Sequence, residues 1–187
     1  MSNKQELESL NKLKKEYNEF NNHHYSGRMD PVDLPDENNY FKWRLHLVGP
    51  KDTSYKGGLF IAIIDIPKDY PNSPPESYFK TPIYHLNVNP IKSDTPGAKH
   101  LGYIDIPILR FWKKEYTMKE ICTEIFSLFY LANPESFDVL NNAYEYKYER
   151  DLYEEKVKYF TKKYADPRCA NIYKEYDESW DFSYGKN

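Results

Sequence analysis

The ten residues F-K-W-R-L-H-L-V-G-P, positions 41 to 50, decide the fold class. Apolar side chains alternate with mostly polar ones at Phe41, Trp43, Leu45 and Leu47. A period of two predicts a strand with one buried face, and Gly49-Pro50 predicts the turn that ends it. The apolar run from Leu59 to Ile66 predicts a second strand, which we expect to be central because both of its faces are apolar.

The links between the predicted strands are short. A stiff connection, Y-P-N-S-P-P at 70–75, leads from the second strand to a third at Ser77 to Thr81. Proline fixes φ and cannot donate to a β-ladder, so this connection lies outside the sheet. Successive strands with short links predict an antiparallel meander.

Helical periodicity flanks the strands on both sides. Ahead of them, apolar residues recur at steps of three and four, at Leu7, Leu10, Leu13, Tyr17 and Phe20. Behind them, Thr117 and Glu120 have the spacing of a capping box, with an apolar stripe from Met118 to Phe129. Two more helices are predicted, one at 140–146 and one on the stripe Tyr153, Val157, Phe160 and Tyr164. We expect an α+β core domain at 1–165 with a C-terminal extension at 166–187.

Composition limits the classes of function. A net charge of −3 over 187 residues gives no general attraction to nucleic acid. No apolar run reaches the roughly 20 residues of a membrane span, and the N-terminus has no signal-peptide segment. Two cysteines that are far apart, Cys122 and Cys169, exclude a disulfide framework and a cysteine zinc site. We expect neither a cofactor nor a metal, and a cytoplasmic location with the nucleus as a further possibility.

Few residues suggest chemistry on their own. Cys122 lies on an apolar helical stripe, where burial makes a thiol inert, and Cys169 lies in a polar tail. His85 is expected to be a structural imidazole, and His23 with His24 lacks a third metal ligand. Asp105, in G-Y-I-D-I-P-I-L at 102–109, is a carboxylate within an apolar run. A hydrolase based on Asp105 would need a second acid or base, and the sequence shows none nearby.

The order of these segments resembles the ubiquitin-conjugating (E2) family from about Leu7 to Ala165. The similar pieces include the first strand with its Gly-Pro turn, Y-K-G-G-L-F at 55–60 and the Y-P-x-x-P-P connection. I-Y-H-L-N at 83–87 resembles the I-Y-H-P-N motif, and 133–146 with 161–165 resembles the C-terminal helices. The resemblance implies an N-terminal helix, a four-stranded antiparallel meander and three later helices.

The same resemblance places Asp105 where active E2s carry the nucleophilic cysteine. A thioester carrier needs a thiolate that attacks and later leaves, and an ionised carboxylate with a pKa near 3.9 does neither well. The resemblance therefore implies no catalytic residue and four degenerate site positions: His85, Asn87, Asp105 and Ser136. In the family, the asparagine at the position of Asn87 helps to stabilise the oxyanion, and the position of Ser136 holds either an acid or a serine.

Other positions also depart from the family pattern. Leu86 replaces the motif's proline, and the segment 88–101 is about ten residues longer than in typical E2s. Ligase-docking loops usually carry an apolar residue where Asn72 stands and a proline-containing turn where Lys113, Lys114 and Glu115 stand. Because interface cores favour apolar anchors, we expect ordinary ligase docking to be weakened.

Our leading prediction is a catalytically inactive E2-like protein that acts as a ubiquitin-pathway cofactor or an interaction scaffold. Its expected partners are proteins: ubiquitin or a ubiquitin-like protein, an active E2, or adaptor subunits. One alternative is an active conjugating enzyme in which Asp105 replaces a natural cysteine. Another is a subunit similar to the Fused Toes protein, which works in a vesicle-transport adaptor with Hook proteins.

Overall fold

The computed structural model describes residues 2–22, 32–36, 38–90, 101–133 and 140–168. Helix α1, Ser2–Asn22, precedes three strands: β1 at Lys42–Val48, β2 at Leu59–Asp65 and β3 at Glu76–Phe79. A short helix α2, Pro107–Arg110, follows them. The remaining helices are α3 at Met118–Ser127, α4 at Leu140–Tyr148 and α5 at Arg150–Tyr164. The predicted α+β order is confirmed, and α2 is an addition that periodicity did not indicate.

The strands form one antiparallel sheet in the order β1-β2-β3, so β2 is central as predicted. Trp43 pairs with Ile64, Leu45 with Ala62 and Leu47 with Phe60. The side chains of these three β1 residues are completely buried. The alternation of apolar and polar residues in β1 therefore predicts the buried face of the sheet correctly.

The prediction of four strands is met only in part, because the described residues contain three. At the place of a fourth, the segment 102–104 pairs with β3 through two backbone hydrogen bonds. Phe79 N donates to Gly102 O and Ile104 N donates to Ser77 O, each at 2.9 Å. Gly102 has φ +78°, a left-handed conformation that interrupts extended geometry, so the pairing remains isolated bridges. Residues 91–100 of the predicted excursion lie outside the described part.

Helix α1 buries a slightly different stripe from the predicted one. Leu13 and Phe20 are buried as expected, but Leu7 is 56% exposed. Ser9 faces inward instead, and its hydroxyl donates a 2.6 Å hydrogen bond to Tyr70 O. Leu7 is two residues from Ser9, about 200° around the helix, so both cannot face the core.

The C-terminal helices agree with their predicted faces. Thr117 and Glu120 form a complete capping box at the start of α3. The buried side of α3 contains Met118, Ile121, Cys122 and Ile125, and that of α5 includes Tyr153, Val157, Phe160 and Tyr164. Helix α4 begins at Leu140 as predicted and runs two residues beyond the predicted end. None of the described helices combines the length and the apolar character needed to cross a bilayer.

Candidate functional site: a carboxylate at the end of the sheet

The segment that carries Asp105 lies between β3 and the segment 87–89. Asn89 exchanges backbone hydrogen bonds with Gly102 and Tyr103, at 2.7 and 2.9 Å. Asp105 N then donates to Asn87 O at 2.9 Å. Asp105 and Asn87 are therefore neighbours, held together by the main chain.

The apolar neighbours of Asp105 explain how an acid fits here. Ile104 and Ile106 are buried, whereas Asp105 is only partly covered. In extended chain, successive side chains point to opposite sides, so the two isoleucines anchor the segment in the core. Asp105 is thereby turned toward the surface at the position that the E2 resemblance assigns to the nucleophile.

Asp105 forms an ion pair with Arg110 in α2. The Arg110 guanidinium donates from Nη2 to Asp105 Oδ2. Helix α2 starts at Pro107, a residue suited to a first helical turn, and Arg110 N bonds back to Ile106 O at 3.1 Å. This turn reverses the chain and brings the cation back to the acid. The sequence analysis did not identify Arg110. A usable signal was present, because Arg110 follows Asp105 by five residues and a proline that starts a helix lies between them.

The pair lies at a small surface cleft of about 380 Å³. Its walls include Pro74 and Pro75 from the proline-rich connection, together with Tyr103 and Leu109. Glu76 also lines the cleft, so its charged rim carries both signs. Within the described residues no group of three or more metal-ligating side chains occurs.

His85 is buried and works as a structural imidazole. Its Nδ1 accepts a hydrogen bond from Asn87 N, and its Nε2 donates to Leu128 O, both at 3.0 Å. A carbonyl only accepts, so the proton of the neutral ring lies on Nε2. Burial without a countercharge lowers the pKa of His85 to about 4. His85 therefore ties the segment before Asp105 to the end of α3 and is not placed to exchange protons with solvent.

Asn87 is held in a similar way. Its Oδ1 accepts from Asn133 N at 2.8 Å, and its Nδ2 donates to Asn133 O at 2.9 Å. The side chain is 2% exposed. These two bonds fix the loop after α3 beside the candidate site. An amide used in this way holds the structure of the site in place.

The other predicted positions divide into described and undescribed residues. Cys122 is completely buried in α3, and burial together with the Glu16 carboxylate raises the pKa of its thiol well above the ordinary value. A thiol in this environment remains protonated and unreactive. Ser136, Cys169, His23 and His24 lie outside the described residues.

The two predicted docking loops are adjacent. Trp112 Nε1 donates to Pro71 O at 2.8 Å, so the loop containing Asn72 touches the one containing 113–115. Asn72 and the residues at 113–115, whose polar or charged character underlies the expected weakening of docking, are exposed. The same rim also presents Phe111, 68% exposed, an apolar side chain that sequence reasoning did not single out.

Comparison with known proteins identifies the family. The ubiquitin-conjugating enzyme family model matches residues 12–161. Ubiquitin-conjugating enzyme E2 13 of Arabidopsis thaliana is 37% identical over 138 residues, covering 68% of this chain and 82% of that protein. Ubiquitin-conjugating enzyme E2 7 of Triticum aestivum is 34% identical over 128 residues, covering 66% and 75%.

A solved structure supports the same assignment. A crystal structure of a Plasmodium yoelii protein, assigned as a ubiquitin conjugating enzyme, superposes with a TM-score of 0.69 at 29% identity. The match covers 84% of this chain and 95% of that one. Sequence and three-dimensional structure thus agree, and this chain belongs to the ubiquitin-conjugating enzyme family.

Proposed function

We propose that this protein is a non-catalytic member of its family, which acts as a ubiquitin-pathway cofactor or as a protein-interaction scaffold. One observation carries the proposal. The position that the family resemblance assigns to the nucleophile holds Asp105, and that carboxylate is paired with Arg110. The rest of the domain keeps a packed core around this position, so the fold is preserved without the thiol.

The chemistry of carrying ubiquitin as a thioester explains why a carboxylate does not replace the cysteine thiol. Transfer from one thioester to another exchanges one sulfur leaving group for an equivalent one. Attack by a carboxylate oxygen on the same acyl carbon would expel a thiolate and leave a mixed anhydride, which water hydrolyses readily. The Arg110 guanidinium also donates a hydrogen bond to Asp105 Oδ2 and so occupies one of its lone pairs. The acid is thus a poorer nucleophile than a free carboxylate.

Cys122 does not offer a replacement thiol. It lies in the core side of α3 with no exposed surface, and its raised pKa disfavours the thiolate. For Cys122 to accept ubiquitin, α3 would have to leave the core. Cys169 follows α5 in the sequence, beyond the residues that the family model matches.

Membership of the ubiquitin-conjugating enzyme family supports proteins as the binding partners of this chain. Ubiquitin or a ubiquitin-like protein, an active E2, and adaptor subunits of the Fused Toes type are the candidates, in a cytoplasmic setting. The exposed rim formed by Asn72, Phe111 and the segment 113–115 is the surface on which a ligase would dock. The affinity of a ligase for this rim measures the expected weakening of docking.

A second function, an active conjugating enzyme, is favoured by the relatives. The proteins that are 34% and 37% identical to this chain are named as ubiquitin-conjugating enzymes. This alternative requires that Asp105 replace a cysteine of the natural protein. Sequencing the coding DNA from the source cell decides that point directly.

A thioester assay tests the proposal. The chain is incubated with activating enzyme, ATP and ubiquitin, and it is resolved on gels with and without dithiothreitol, beside an active E2 as the positive control. We expect no reductant-sensitive adduct on this chain. An adduct that persists in the C169S variant and disappears in C122S would show that the core thiol reacts, and would refute the proposal.

A further inference from the structure

A second cleft, separate from the candidate site, has a volume of about 630 Å³. It is bounded by the loop between β1 and β2 and by the end of α5. It has no lining residue in common with the cleft beside Asp105. Lys56, Lys158, Lys162 and Arg168 line it. We propose that this basic cleft binds a ligand that carries phosphate groups, independently of any thioester chemistry.

Three of the four cations that line the basic cleft form no salt bridge with a described carboxylate. Among the described residues lining it, Asp166 is the only carboxylate, and it is paired with Arg168. This pairing lowers the pKa of Asp166 to about 2, so the acid is fully ionised and already neutralised by its own partner. No carboxylate of the described residues lies within ion-pair distance of Lys56, Lys158 or Lys162. Lys56, Lys158 and Lys162 therefore line the basic cleft without a salt bridge among the described residues, and only Lys162 lies near enough to Asp166 to be attracted to it.

Helix electrostatics accounts for only part of this cluster. Lysines in the last turn offset the negative end of a helix dipole, which is an ordinary reason for Lys162 to be there. Lys158 lies a turn earlier on the same face, and like charges at i and i+4 destabilise a helix. Lys56 comes from a separate loop. Lys158 and Lys162 therefore repel each other along α5, and an anion bound beside them would reduce that repulsion.

The walls of the basic cleft are fixed by the packing of α5 on the sheet. Leu59 N donates to Ala165 O at 2.7 Å, which joins the start of β2 to the end of α5. Gly58 permits this contact, because a Cβ there would lie 2.8 Å from Thr161 Cγ2. Across the loop, Thr53 Oγ1 donates to Pro50 O at 2.9 Å. A site with walls set in this way needs little rearrangement to bind.

Thr161 provides an independent observation on the floor of the basic cleft. Its side chain is 6% exposed, and within the described part of the chain its hydroxyl has no hydrogen-bond partner. Buried hydroxyls are ordinarily satisfied, and an exception calls for an explanation. The hydroxyl oxygen has almost no surface that solvent reaches, so a phosphate oxygen would become its acceptor only after the Thr161 side chain rotates toward the basic cleft.

The residue types favour phosphate over other anions. Lysine is a compact charge with three donors, which suits phosphate oxygens without imposing the planar geometry of arginine and a carboxylate. Three charges favour a ligand with two adjacent phosphate groups over one with a single charge. The volume falls within the range of small-ligand sites. Such groups occur on free phosphate compounds and on phosphorylated segments of protein partners.

Calorimetric titration of the full chain tests the proposal. The probes are inorganic pyrophosphate and a peptide with two adjacent phosphoserines, with the unphosphorylated peptide as a reference, at low ionic strength. The K56Q/K158Q/K162Q variant removes the three lysines. Its control, K4Q/K113Q/K114Q, removes the same charge from exposed positions elsewhere.

We expect at least one phosphate probe to bind, and its affinity to fall at least tenfold in K56Q/K158Q/K162Q but less than twofold in the control. A T161V variant should also weaken binding while leaving the cluster's charge intact. Binding of pyrophosphate alone or of the phosphopeptide alone would identify the source of the phosphate. Absence of binding by both probes, or equal weakening in the two triple variants, would overturn the proposal. A normal melting temperature for each variant confirms that it is folded.

Discussion

The Arg110 guanidinium donates a hydrogen bond to the Asp105 carboxylate across the first turn of α2. The Asp105 side chain is 12% exposed and that of Arg110 is 43% exposed, so the pair is shielded on the acid's side only. The sequence analysis singled out Asp105 but did not pair it with Arg110. Together they convert the expected place of a nucleophile into a neutral, hydrogen-bonded pair.

The first prediction concerns the energy of this pair. A double-mutant cycle of D105N, R110Q and the double variant, measured by urea unfolding, should give a coupling free energy of about 1 kcal/mol. The coupling should decrease in high salt, because part of the pair faces solvent. The pair Lys4–Glu8, 4.0 Å apart with both side chains largely exposed, is the matched control and should show almost no coupling. A coupling near zero for both pairs would show that Arg110 does not fix Asp105.

The second prediction concerns recovery of the thiol. In the D105C variant we expect a reductant-sensitive ubiquitin adduct, weaker than that of an active E2, because the thiol returns at the family's nucleophile position. D105S is the matched control and should form no such adduct. If D105C also fails while remaining folded, the loss of activity extends beyond the missing sulfur, to recognition of the activating enzyme or to the segment 88–101.

Arg110 should also influence the thiol of the D105C variant. A nearby cation favours thiolate over thiol and lowers the pKa of cysteine from its usual value of about 8.5. Iodoacetamide alkylation of D105C in a C169S background, followed against pH, should therefore begin at lower pH than in D105C/R110Q. Identical pH profiles would show that the guanidinium turns away once the carboxylate is gone.

The third prediction concerns His85 and acid stability. Its pKa is about 4 in the folded protein and about 6.5 when exposed, so between these values the unfolded chain binds more protons. Stability therefore falls as the pH is lowered from about 6.5 to about 4, and this residue alone accounts for a loss of about 3 kcal/mol. Urea unfolding at several pH values checks this.

The H85Q variant separates this contribution from those of other groups. Glutamine offers both a donor and an acceptor but does not titrate. H85Q should be less stable at pH 7, because it packs less well, and its stability should depend less steeply on pH between 4 and 6.5. An unchanged pH slope would mean that the acid sensitivity has another source.

The fourth prediction concerns Cys122. In a C169S background, native protein at pH 7.5 should react with a thiol reagent only as fast as it unfolds, because the thiol has no exposed surface and a raised pKa. In guanidinium chloride the same thiol should react at the rate of a free cysteine. Rapid labelling of the native protein would contradict the buried placement and reopen Cys122 as a carrier.

Local pattern was sufficient for most of the architecture. The alternation from Phe41 to Leu47, the capping box at Thr117 and Glu120, and the stripe of α5 each reflect a short-range rule that tertiary packing did not override. The failures occurred where distant segments meet. Ser9 rather than Leu7 faces the core because Tyr70 supplies an acceptor for its hydroxyl, and a left-handed Gly102 reduces the fourth strand to bridges.

The sequence by itself determined that the family's nucleophile position holds an acid, since this is a matter of residue identity in a recognisable order of motifs. Only the tertiary structure decided what surrounds that acid. The turn of α2 brings Arg110 to Asp105, and the loop after α3 takes up the amide of Asn87. Likewise, three lysines from a loop and a helix line one cleft only because α5 packs against the start of β2. Charges that are about a hundred residues apart in the sequence come to line the same cleft through packing, and no local sequence pattern predicts that arrangement.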